Sequence, residues 1–388
     1  MPIVNRVAAF ADEVATWRRD IHSHPELGFE VGRTAAIVAA KLRDFGCDEV
    51  AAGFAQSGVI AVIKGRADRS GGVIGVRADL DALPITETTG LPHASKYSGQ
   101  MHACGHDGHT AMLLGAAKYL CETRNFDGTA VLIFQPAEEG GGGAKLMVEE
   151  KLMERFAIQE VYGMHNWPGV PVGQFAIRRG PLMAAADRFN ITVHGRGSHA
   201  AQPHLSIDTL AIGCQLHQAL QMIVARNVDP LDSAVISVAF FHAGTAHNII
   251  PPSATLGGTV RTLRQDTKTM VVKRMQDTVE SIARMHDTTI DFEYLHGVPC
   301  TFNADQQTAS AVIAARDVAG ASGVDIEVLP TMAGEDFALM LDQRPGAMIF
   351  IGNGDSAGLH HPAYDFNDGA IAAGVSYWSR LIETRLPA

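Results

Sequence analysis

The chain has 388 residues, of which 42 are acidic and 31 are basic, giving a net charge of −11, and 46% are hydrophobic. A chain of this length usually exceeds what one hydrophobic core organises, so the sequence predicts a globular protein of two domains. The acidic balance, without any block of Lys and Arg, argues against a nucleic-acid partner, because phosphate contacts need clustered cations. The longest apolar runs fall short of the roughly 20 residues that a membrane-spanning helix needs.

The cysteines indicate a reduced protein. There are five, at positions 47, 104, 121, 214 and 300, and an odd number so widely spread does not predict a disulfide framework. The N-terminal stretch is interrupted by Arg6, Asp12 and Glu13 and lacks the apolar segment of a signal peptide. We therefore expect a cytoplasmic protein in which four cysteines are packing residues and Cys104 is functional.

Hydrophobic patterns predict alternating helices and strands in the first part of the chain. Helices are expected over residues 4–21 and 34–45, and strands over residues 59–63, 73–77, 130–134 and 161–164. The strands are nearly continuous apolar runs, which is typical of strands buried on both faces of an α/β sheet. Functional sites in such sheets lie at the carboxyl ends of the strands.

Residues with metal-binding or acid–base chemistry follow these strand ends. Asp79 and Asp81 follow the second strand, Glu138 and Glu139 follow the third, and His165 follows the fourth. Two adjacent glutamates at a strand end point in different directions, so that one can bind a metal while the other faces a substrate. If any one of these segments were considered alone, the alternative to a functional site would be a loop with solvated side chains.

The densest cluster lies at residues 101–109, which read MHACGHDGH. A thiol, three imidazoles and a carboxylate in so short a stretch suit zinc or a neighbouring divalent ion better than a solvated polar turn. Cys104 and His106 are two residues apart and can project to one side, whereas His106 and His109 share one face of a helix. Spacing leaves open whether His102 or His109 is also a ligand.

The pattern changes at residue 187. Strands are expected at 187–194, 234–242, 255–262 and 288–295, and helices at 206–225 and 268–285. This β-α-β-β-α-β order is that of a ferredoxin-like unit with its own sheet and two covering helices. We predict an α/β fold in which a domain of residues 183–298 is inserted into a metal-binding domain of residues 1–182 and 299–388. A strand at 348–351 and a final helix at 368–385 complete the first domain.

Seven motifs carry a resemblance to a known family. In chain order they are MHACGHDGH, FQPAEEGGGGA, GMHNWP, GRGSHAAQPH, HNIIP with GTVRT, AGEDF and LHHPAYDFND. Together they resemble the di-metal amidohydrolase family of hippurate hydrolases, auxin-conjugate hydrolases and aminoacylases, within the zinc carboxypeptidase-like metallopeptidases. The motifs are specific for the family and much less so for the substrate.

The resemblance implies a metal centre and a general base. Two divalent ions per subunit are expected, with zinc as the first choice and manganese, cobalt or nickel as alternatives. Glu138 is the expected base, because a carboxylate beside a metal-polarised water can take its proton and pass it to a leaving nitrogen. Asp79 is expected behind a metal ligand. The implied ligands are Cys104, His106, Glu139, His165 and His360, with His361 as the alternative to His360.

The resemblance also assigns the inserted domain a role in dimerisation. A homodimer, or a dimer of dimers, is expected, in which His199 stabilises the oxyanion in the site of the other subunit. Asn248 and Arg261 are expected to anchor a substrate carboxylate, which the planar guanidinium binds through two hydrogen bonds. An exposed strand residue paired with an aspartate is the alternative for Arg261. Glu335 is a further candidate site residue, which is expected to position neighbouring groups more than to contact the substrate directly.

These assignments predict a metal-dependent amidohydrolase that cleaves N-acyl amino acids, such as hippurate, to a carboxylic acid and a free amino acid. The alternative is an N-acetyl-amino-acid deacetylase or a dipeptidase of the same family. A non-catalytic metal-binding protein is disfavoured because it would need neither Glu138 nor His199. A serine hydrolase is disfavoured because the sequence has no GxSxG motif.

Overall fold

The computed structural model describes residues 4–388, which form two compact units. Unit 1 contains the described residues up to Leu182 together with Phe302–Leu329 and Asp336–Ala388, and unit 2 contains Met183–Thr301 and Pro330–Glu335. The catalytic and dimerisation roles that the sequence analysis gave to two domains stay predictions.

The regular elements are numbered here in chain order. The helices are α1 (Asn5–Ala8), α2 (Ala11–His22), α3 (Gly32–Phe45), α4 (His106–Thr123), α5 (Gly143–Glu149), α6 (Leu152–Arg155), α7 (Thr209–Asn227), α8 (Gln265–Met285), α9 (Asp305–Ala319), α10 (Ala338–Leu341) and α11 (Ile371–Arg385). The strands are β1 (Glu49–Phe54), β2 (Gly58–Lys64), β3 (Val73–Asp79), β4 (Thr129–Gln135), β5 (Glu160–Pro168), β6 (Phe175–Ala176), β7 (Gly180–Met183), β8 (Ala185–His194), β9 (Ser198–His199), β10 (Ala234–Ala243), β11 (Ile249–Ile250), β12 (Ser253–Thr262), β13 (Ile290–Val298), β14 (Thr301–Asn303), β15 (Val324–Asp325) and β16 (Gly346–Gly354).

Unit 1 is built on an eight-stranded sheet in the order β1-β2-β4-β3-β5-β16-β6-β15. Strands β4, β3, β5 and β16 are neighbours and run parallel, so their carboxyl ends meet along one edge. These strands are buried on both faces, as their continuous apolar sequences predict. Residues that follow four different strands can therefore meet at this edge, where the sequence predicts a site.

Helix α4 is the central helix of unit 1 and packs against α2, α3 and α11. Nearly all of its residues are buried, which is typical of a helix that is apolar all round. Gly105 precedes it with φ +89°, and a Cβ there would lie 2.2 Å from Nδ2 of Asn166. Only glycine therefore fits between Cys104 and His106.

The N-terminal helix departs from expectation. One helix over residues 4–21 was predicted, but α1 ends at Ala8 and α2 begins at Ala11, because the backbone at Phe10 leaves the helical region (φ −127°, ψ 11°). Neither proline nor glycine marks this break. The sequence analysis also did not identify β1, an edge strand with mostly exposed side chains, or α9.

Unit 2 contains a four-stranded antiparallel sheet in the order β10-β12-β8-β13. Its chain order of β8, α7, β10, β12, α8 and β13 is the predicted β-α-β-β-α-β arrangement. One face of the sheet shares a core with α7 and α8, and burial alternates along β8 as expected for a sheet covered on one face. None of the helices in residues 4–388 is long and apolar enough to cross a bilayer.

Candidate metal centre

The carboxyl ends of β3, β4 and β5, together with the start of α4, bring a thiol, imidazoles and carboxylates together. One ligand atom from each of Cys104, His106 and His165 lies within 4.8 Å of the other two, and all three residues are buried. Sγ of Cys104 is 3.4 Å from Nε2 of His165. These three residues form a compact set of soft and borderline donors.

Backbone carbonyls determine which nitrogen of each imidazole is available. Nδ1 of His106 donates to the carbonyl of Asp81 at 2.8 Å, and Nδ1 of His165 donates to the carbonyl of Asn166 at 2.6 Å. Because a carbonyl oxygen only accepts, each ring carries a proton on Nδ1, and Nε2 is the nitrogen left for a metal ion. Nε2 of His106 is buried without a hydrogen-bond partner among residues 4–388. This is the arrangement of a metal-binding histidine with its second nitrogen fixed by a backbone partner.

Glu139 forms a second group with Cys104 and His360, whose ligand atoms also lie within 4.8 Å of one another. Oε1 of Glu139 is 3.2 Å from Nε2 of His360 and accepts no hydrogen bond within the described part of the chain. His360 is half exposed and has φ +64°, and its backbone N–H donates to the carbonyl of Ala103. This contact holds the C-terminal motif against the Cys104 loop.

The two adjacent histidines differ in their surroundings. Nδ1 of His361 accepts from the backbone N–H of Ala363, and His361 belongs to no group of potential ligand atoms in residues 4–388. The geometry therefore favours His360 of the two. The assignment of His360 as a ligand remains a prediction.

Asp79 lies next to His106 and His109, and its place behind a metal ligand stays a prediction. It is fully buried, accepts from Arg77 and His109 at 2.7 Å each, and has Oδ2 3.7 Å from Nε2 of His106. Burial raises the pKa of Asp79, but His106, His109 and Arg77 lower it more, so that its pKa lies well below the usual value. Asp79 is therefore an anion at neutral pH.

His109 and His102, which spacing left open as ligands, have different environments. Nδ1 of His109 donates to Asp79 and its Nε2 accepts from the backbone N–H of Asn166, so neither nitrogen has a free lone pair. His102 belongs to no group of ligand atoms among the described residues, and burial lowers its pKa to about 3. The structure thus gives no support to His102 as a ligand. The ligand atoms of His109, Asp79 and His106 do lie within 4.8 Å of one another, but Asp79 and Asn166 already occupy both nitrogens of His109.

Asp81 is a residue whose role the sequence analysis did not assign. Its Oδ1 accepts from the backbone N–H of Glu138 and its Oδ2 from that of Glu139, both at 3.0 Å. One carboxylate therefore fixes the backbone of both glutamates. In the sequence, this position was marked only by two closely spaced aspartates at the end of β3. Glu138, the partner of Asp81, lies 57 residues away in the chain, so only the fold reveals their contact.

The proposed base, Glu138, lies close to the ligand candidates. Its carboxylate forms a group within 4.8 Å with His106 and Glu139, and its Oε1 accepts from the backbone N–H of Asp336 at 3.4 Å. The Asp336 carboxylate in turn accepts from Arg77 and Gln135. Asp336 was missed in the sequence, although it follows Glu335 in the AGEDF motif.

The remaining predicted site residues belong to unit 2. His199 and Asn248 are exposed and adjacent, since His199 pairs with Ile249 and the Asn248 carbonyl accepts from Ala200. Arg261 is partly buried on β12, where burial and Arg188 lower its pKa. Glu335 is buried at the end of the second segment of unit 2.

Comparison with known proteins identifies the family. The family model described as peptidase family M20/M25/M40 matches residues 75–384. The chain belongs to this peptidase family. The hippurate hydrolase of Campylobacter jejuni is 41% identical over 98% of each chain, and the N-acetylcysteine deacetylase of Bacillus subtilis is 39% identical over 96% of this chain and 97% of its own. The resemblance inferred from the seven motifs is confirmed.

A solved structure of a member of the M20 family supports the fold. The Bacillus subtilis protein described as a dinuclear metal binding peptidase is 35% identical, covers 98% of this chain and 99% of its own, and has a TM-score of 0.86. The predicted α/β class is thereby confirmed. Dimerisation through the inserted part stays a prediction.

The residues at the M20 centre fit a divalent metal. Burial raises the pKa of the Cys104 thiol well above its usual value, which a cation bound to sulfur would offset. Burial lowers the pKa of His106, but Asp79 and Cys104 raise it more. The surroundings of the His106 ring therefore favour a positive charge. Nε2 of His106, which is buried without a hydrogen-bond partner in residues 4–388, and the Glu139 carboxylate beside His360 are ligand atoms of the types that zinc binds.

Proposed function

We propose that the chain is a metal-dependent amidohydrolase that cleaves N-acyl amino acids to a carboxylic acid and a free amino acid. The observation that carries this proposal is the buried Cys104–His106–His165 group with Glu138 and Glu139 beside it. The similarity to a hippurate hydrolase along nearly the whole chain supports the substrate class.

We assign Cys104, His106, Glu139, His165 and His360 to two divalent ions. Five protein donors exceed the three that hold a single catalytic zinc, and thiolate with imidazole suits zinc, with manganese, cobalt or nickel as alternatives. When bound, the ions would supply Lewis acidity, which lowers the pKa of a water and polarises an amide carbonyl. A Bacillus subtilis relative described as dinuclear supports the number of ions.

Glu138 is the proposed proton carrier. It would accept a proton from the attacking water and donate it to the amide nitrogen as the C–N bond breaks. Asp81 fixes its backbone, and the N–H of Asp336 contacts its Oε1, so the carboxylate is held on one side while remaining partly exposed. Asp79 would keep His109 and Arg77 in place behind the centre.

The proposed roles of unit 2 concern the substrate and the second subunit. In a homodimer, or a dimer of dimers, His199 of the partner subunit would donate a hydrogen bond to the developing oxyanion. Asn248 and Arg261 would bind the carboxylate of the amino-acid part, and Glu335 would position neighbouring groups. We further propose a cytoplasmic location, since Cys47, Cys104, Cys121 and Cys214 are free thiols in the structure.

A second candidate function is removal of acetyl groups. The N-acetylcysteine deacetylase relative, 39% identical, favours this alternative over a dipeptidase. The two candidates differ in the acyl pocket and share the proposed chemistry. They can be separated only by varying the acyl group at a constant amino acid.

The test is therefore a panel of benzoylglycine, acetylglycine and glycylglycine, with kcat/KM measured on metal-loaded enzyme. A hippurate-type enzyme should prefer benzoylglycine over acetylglycine by about tenfold or more, because an apolar acyl pocket gains a few kcal/mol from the ring. The Glu138→Gln variant, purified identically, is the control for contaminating hydrolases. The reverse preference would indicate a deacetylase, and cleavage of glycylglycine alone a dipeptidase. Absence of turnover with all three would contradict the proposed function.

A further inference from the structure

Away from the metal centre, two thiols of unit 1 are in contact. Sγ of Cys47 lies 3.6 Å from Sγ of Cys121, although the residues are 74 positions apart in the chain. Both side chains are partly exposed at the margin of the main core, and both are free thiols. The sequence analysis interpreted them only as packing residues, since nothing in their spacing indicated that they meet.

Each thiol is held by a regular element. Gly46 ends α3 in the left-handed conformation (φ +85°), and Cys47 follows it in the short turn that leads to β1. Cys121 lies in the last turn of α4, which packs against α3. The two sulfur atoms are therefore brought together by packed helices and not by a chance contact of loops.

Arg124 connects the same two segments and supplies a positive charge. Its guanidinium donates to the Gly46 carbonyl at 2.9 Å and to Oδ2 of Asp48 at 2.7 Å. The hydrogen bond with the Cys47 thiol and the charge of Arg124 lower the pKa of Cys121, whereas the same hydrogen bond and burial raise the pKa of Cys47. Cys121 therefore has the lower pKa of the two thiols, which makes it the more readily ionised sulfur of the pair.

We propose that Cys47 and Cys121 form a peroxide-reactive dithiol that closes to an intramolecular disulfide in the folded protein. The Cys121 thiolate attacks one oxygen of hydrogen peroxide, which gives a sulfenic acid and releases hydroxide. The Cys47 sulfur then attacks the sulfenic sulfur and displaces its oxygen, which leaves as water with the Cys47 proton. In sum, two thiols and one peroxide give one disulfide and two waters, and the two sulfur atoms supply both electrons.

The disulfide would restrain the protein without altering its chemistry. It would tie the turn between α3 and β1 to the C-terminal end of α4, closing a loop of 74 residues. His106 lies at the other end of the 18-residue helix, about 22 Å from Cys121 along its axis. Oxidation should therefore raise resistance to unfolding and leave turnover nearly unchanged.

The experiment treats metal-loaded protein with hydrogen peroxide, blocks the remaining thiols with an alkylating reagent and analyses tryptic peptides by mass spectrometry. Residues 44–64 and 119–124 are the tryptic peptides that contain the two cysteines. We expect them to appear as one linked species that dithiothreitol separates. The thermal midpoint should rise by about 3 to 10 °C, and kcat/KM should stay within about twofold.

Two variants make the test specific. In Cys47→Ser, peroxide should leave a sulfenic acid on Cys121 that dimedone traps, with no linked peptide. Cys214→Ser, which removes an exposed thiol of unit 2, should form the linked peptide as the wild type does. The proposal is overturned if peroxide-treated wild type keeps both thiols alkylatable, or if either cysteine appears only as an adduct, an intermolecular disulfide or a sulfinic acid.

Discussion

The backbone carbonyl of Asp81, just after β3, determines which nitrogen of His106 can bind a cation. The Asp81 carbonyl holds Nδ1–H, and the Asp81 side chain holds the backbone of both glutamates, so a single residue orients three members of the centre. The residue types of the centre could be predicted from the density of Cys, His and Glu after strand ends. Their tautomers and the role of Asp81 could not, because these depend on partners distant in sequence.

The first prediction separates the two glutamates. Glu138→Gln should lower kcat by roughly 100- to 10,000-fold, because the amide keeps the shape of the side chain but cannot accept a proton. Its metal content, measured by elemental analysis after desalting, should match that of the wild type. Glu139→Gln should instead lose metal, and the opposite pattern would exchange the two roles.

The second prediction concerns the number of ions. Cys104→Ala should bind at least one equivalent of metal fewer than the wild type, because the thiol lies in both ligand groups, with His106 and His165 and with Glu139 and His360. Cys214→Ala is the matched control and should retain the full content, since that thiol is exposed and far along the chain. Full activity with one equivalent per chain would contradict a binuclear centre.

At the scale of elements, α2 and α4 are joined by a buried charged network. Nδ1 of His22, in the last turn of α2, lies 2.8 Å from the Asp107 carboxylate in the first turn of α4, and Nε2 lies 3.4 Å from Glu87. Arg18 also contacts Asp107. Burial lowers the pKa of His22, but the two carboxylates raise it more, to about 9.

This network predicts a pH-dependent stability. Because the folded-state pKa of His22 is above the unfolded value of about 6.5, its contribution is complete below pH 6.5 and is lost as the pH rises through about 9. The difference in unfolding free energy between wild type and His22→Gln should therefore shrink by about 3 kcal/mol between pH 6 and pH 10. Urea unfolding of both proteins at saturating metal measures this difference in free energy at each pH. His204→Gln, at an exposed position, should show no such trend, and a constant difference for His22→Gln would refute the charged interaction.

Elements were predictable where hydrophobic periodicity matched burial. Strands β2 to β5 and the six main elements of unit 2 were identified because their apolar positions follow the sheet or helix period. Strand β1 was missed because its pairing with β2 stabilises a segment with few buried side chains. The break between α1 and α2 could not be predicted because no turn-forming residue marks it.

For the whole molecule, the order of helices and strands predicts that a second domain is inserted into the first. The hydrophobic pattern alone does not predict the function of this inserted domain. Its sheet, with two helices on one face, explains how residues 187–295 form a separate core. The exposed position of His199 and Asn248 is compatible with a role outside their own unit. The proposed dimer gives these residues a function that can be measured.

The dimer prediction is tested with two inactive variants. His199→Ala and Glu138→Gln should each be nearly inactive, although folded and metal-loaded. If His199 serves the site of the partner subunit, exchange of subunits between them gives heterodimers with one intact and one doubly defective site. Activity should recover to at most about a quarter of wild type, since random pairing makes half of the dimers mixed. Labelled subunits confirm exchange, and exchange without recovery would mean that His199 acts in its own subunit or is only structural.

The sheet order of unit 1 also constrains how the protein can be synthesised. Strand β16 pairs with the outer edge of β5, but the ribosome must translate residues 169–345 between them, which takes about 10 to 35 s. Throughout that interval the nascent chain exposes the open edge of a buried, apolar strand, and His360 does not yet exist. With His360 as a ligand, as proposed, the complete metal centre could form only after nearly the entire polypeptide has emerged. Messages truncated before codon 346 should therefore yield aggregating products that chaperones must retain.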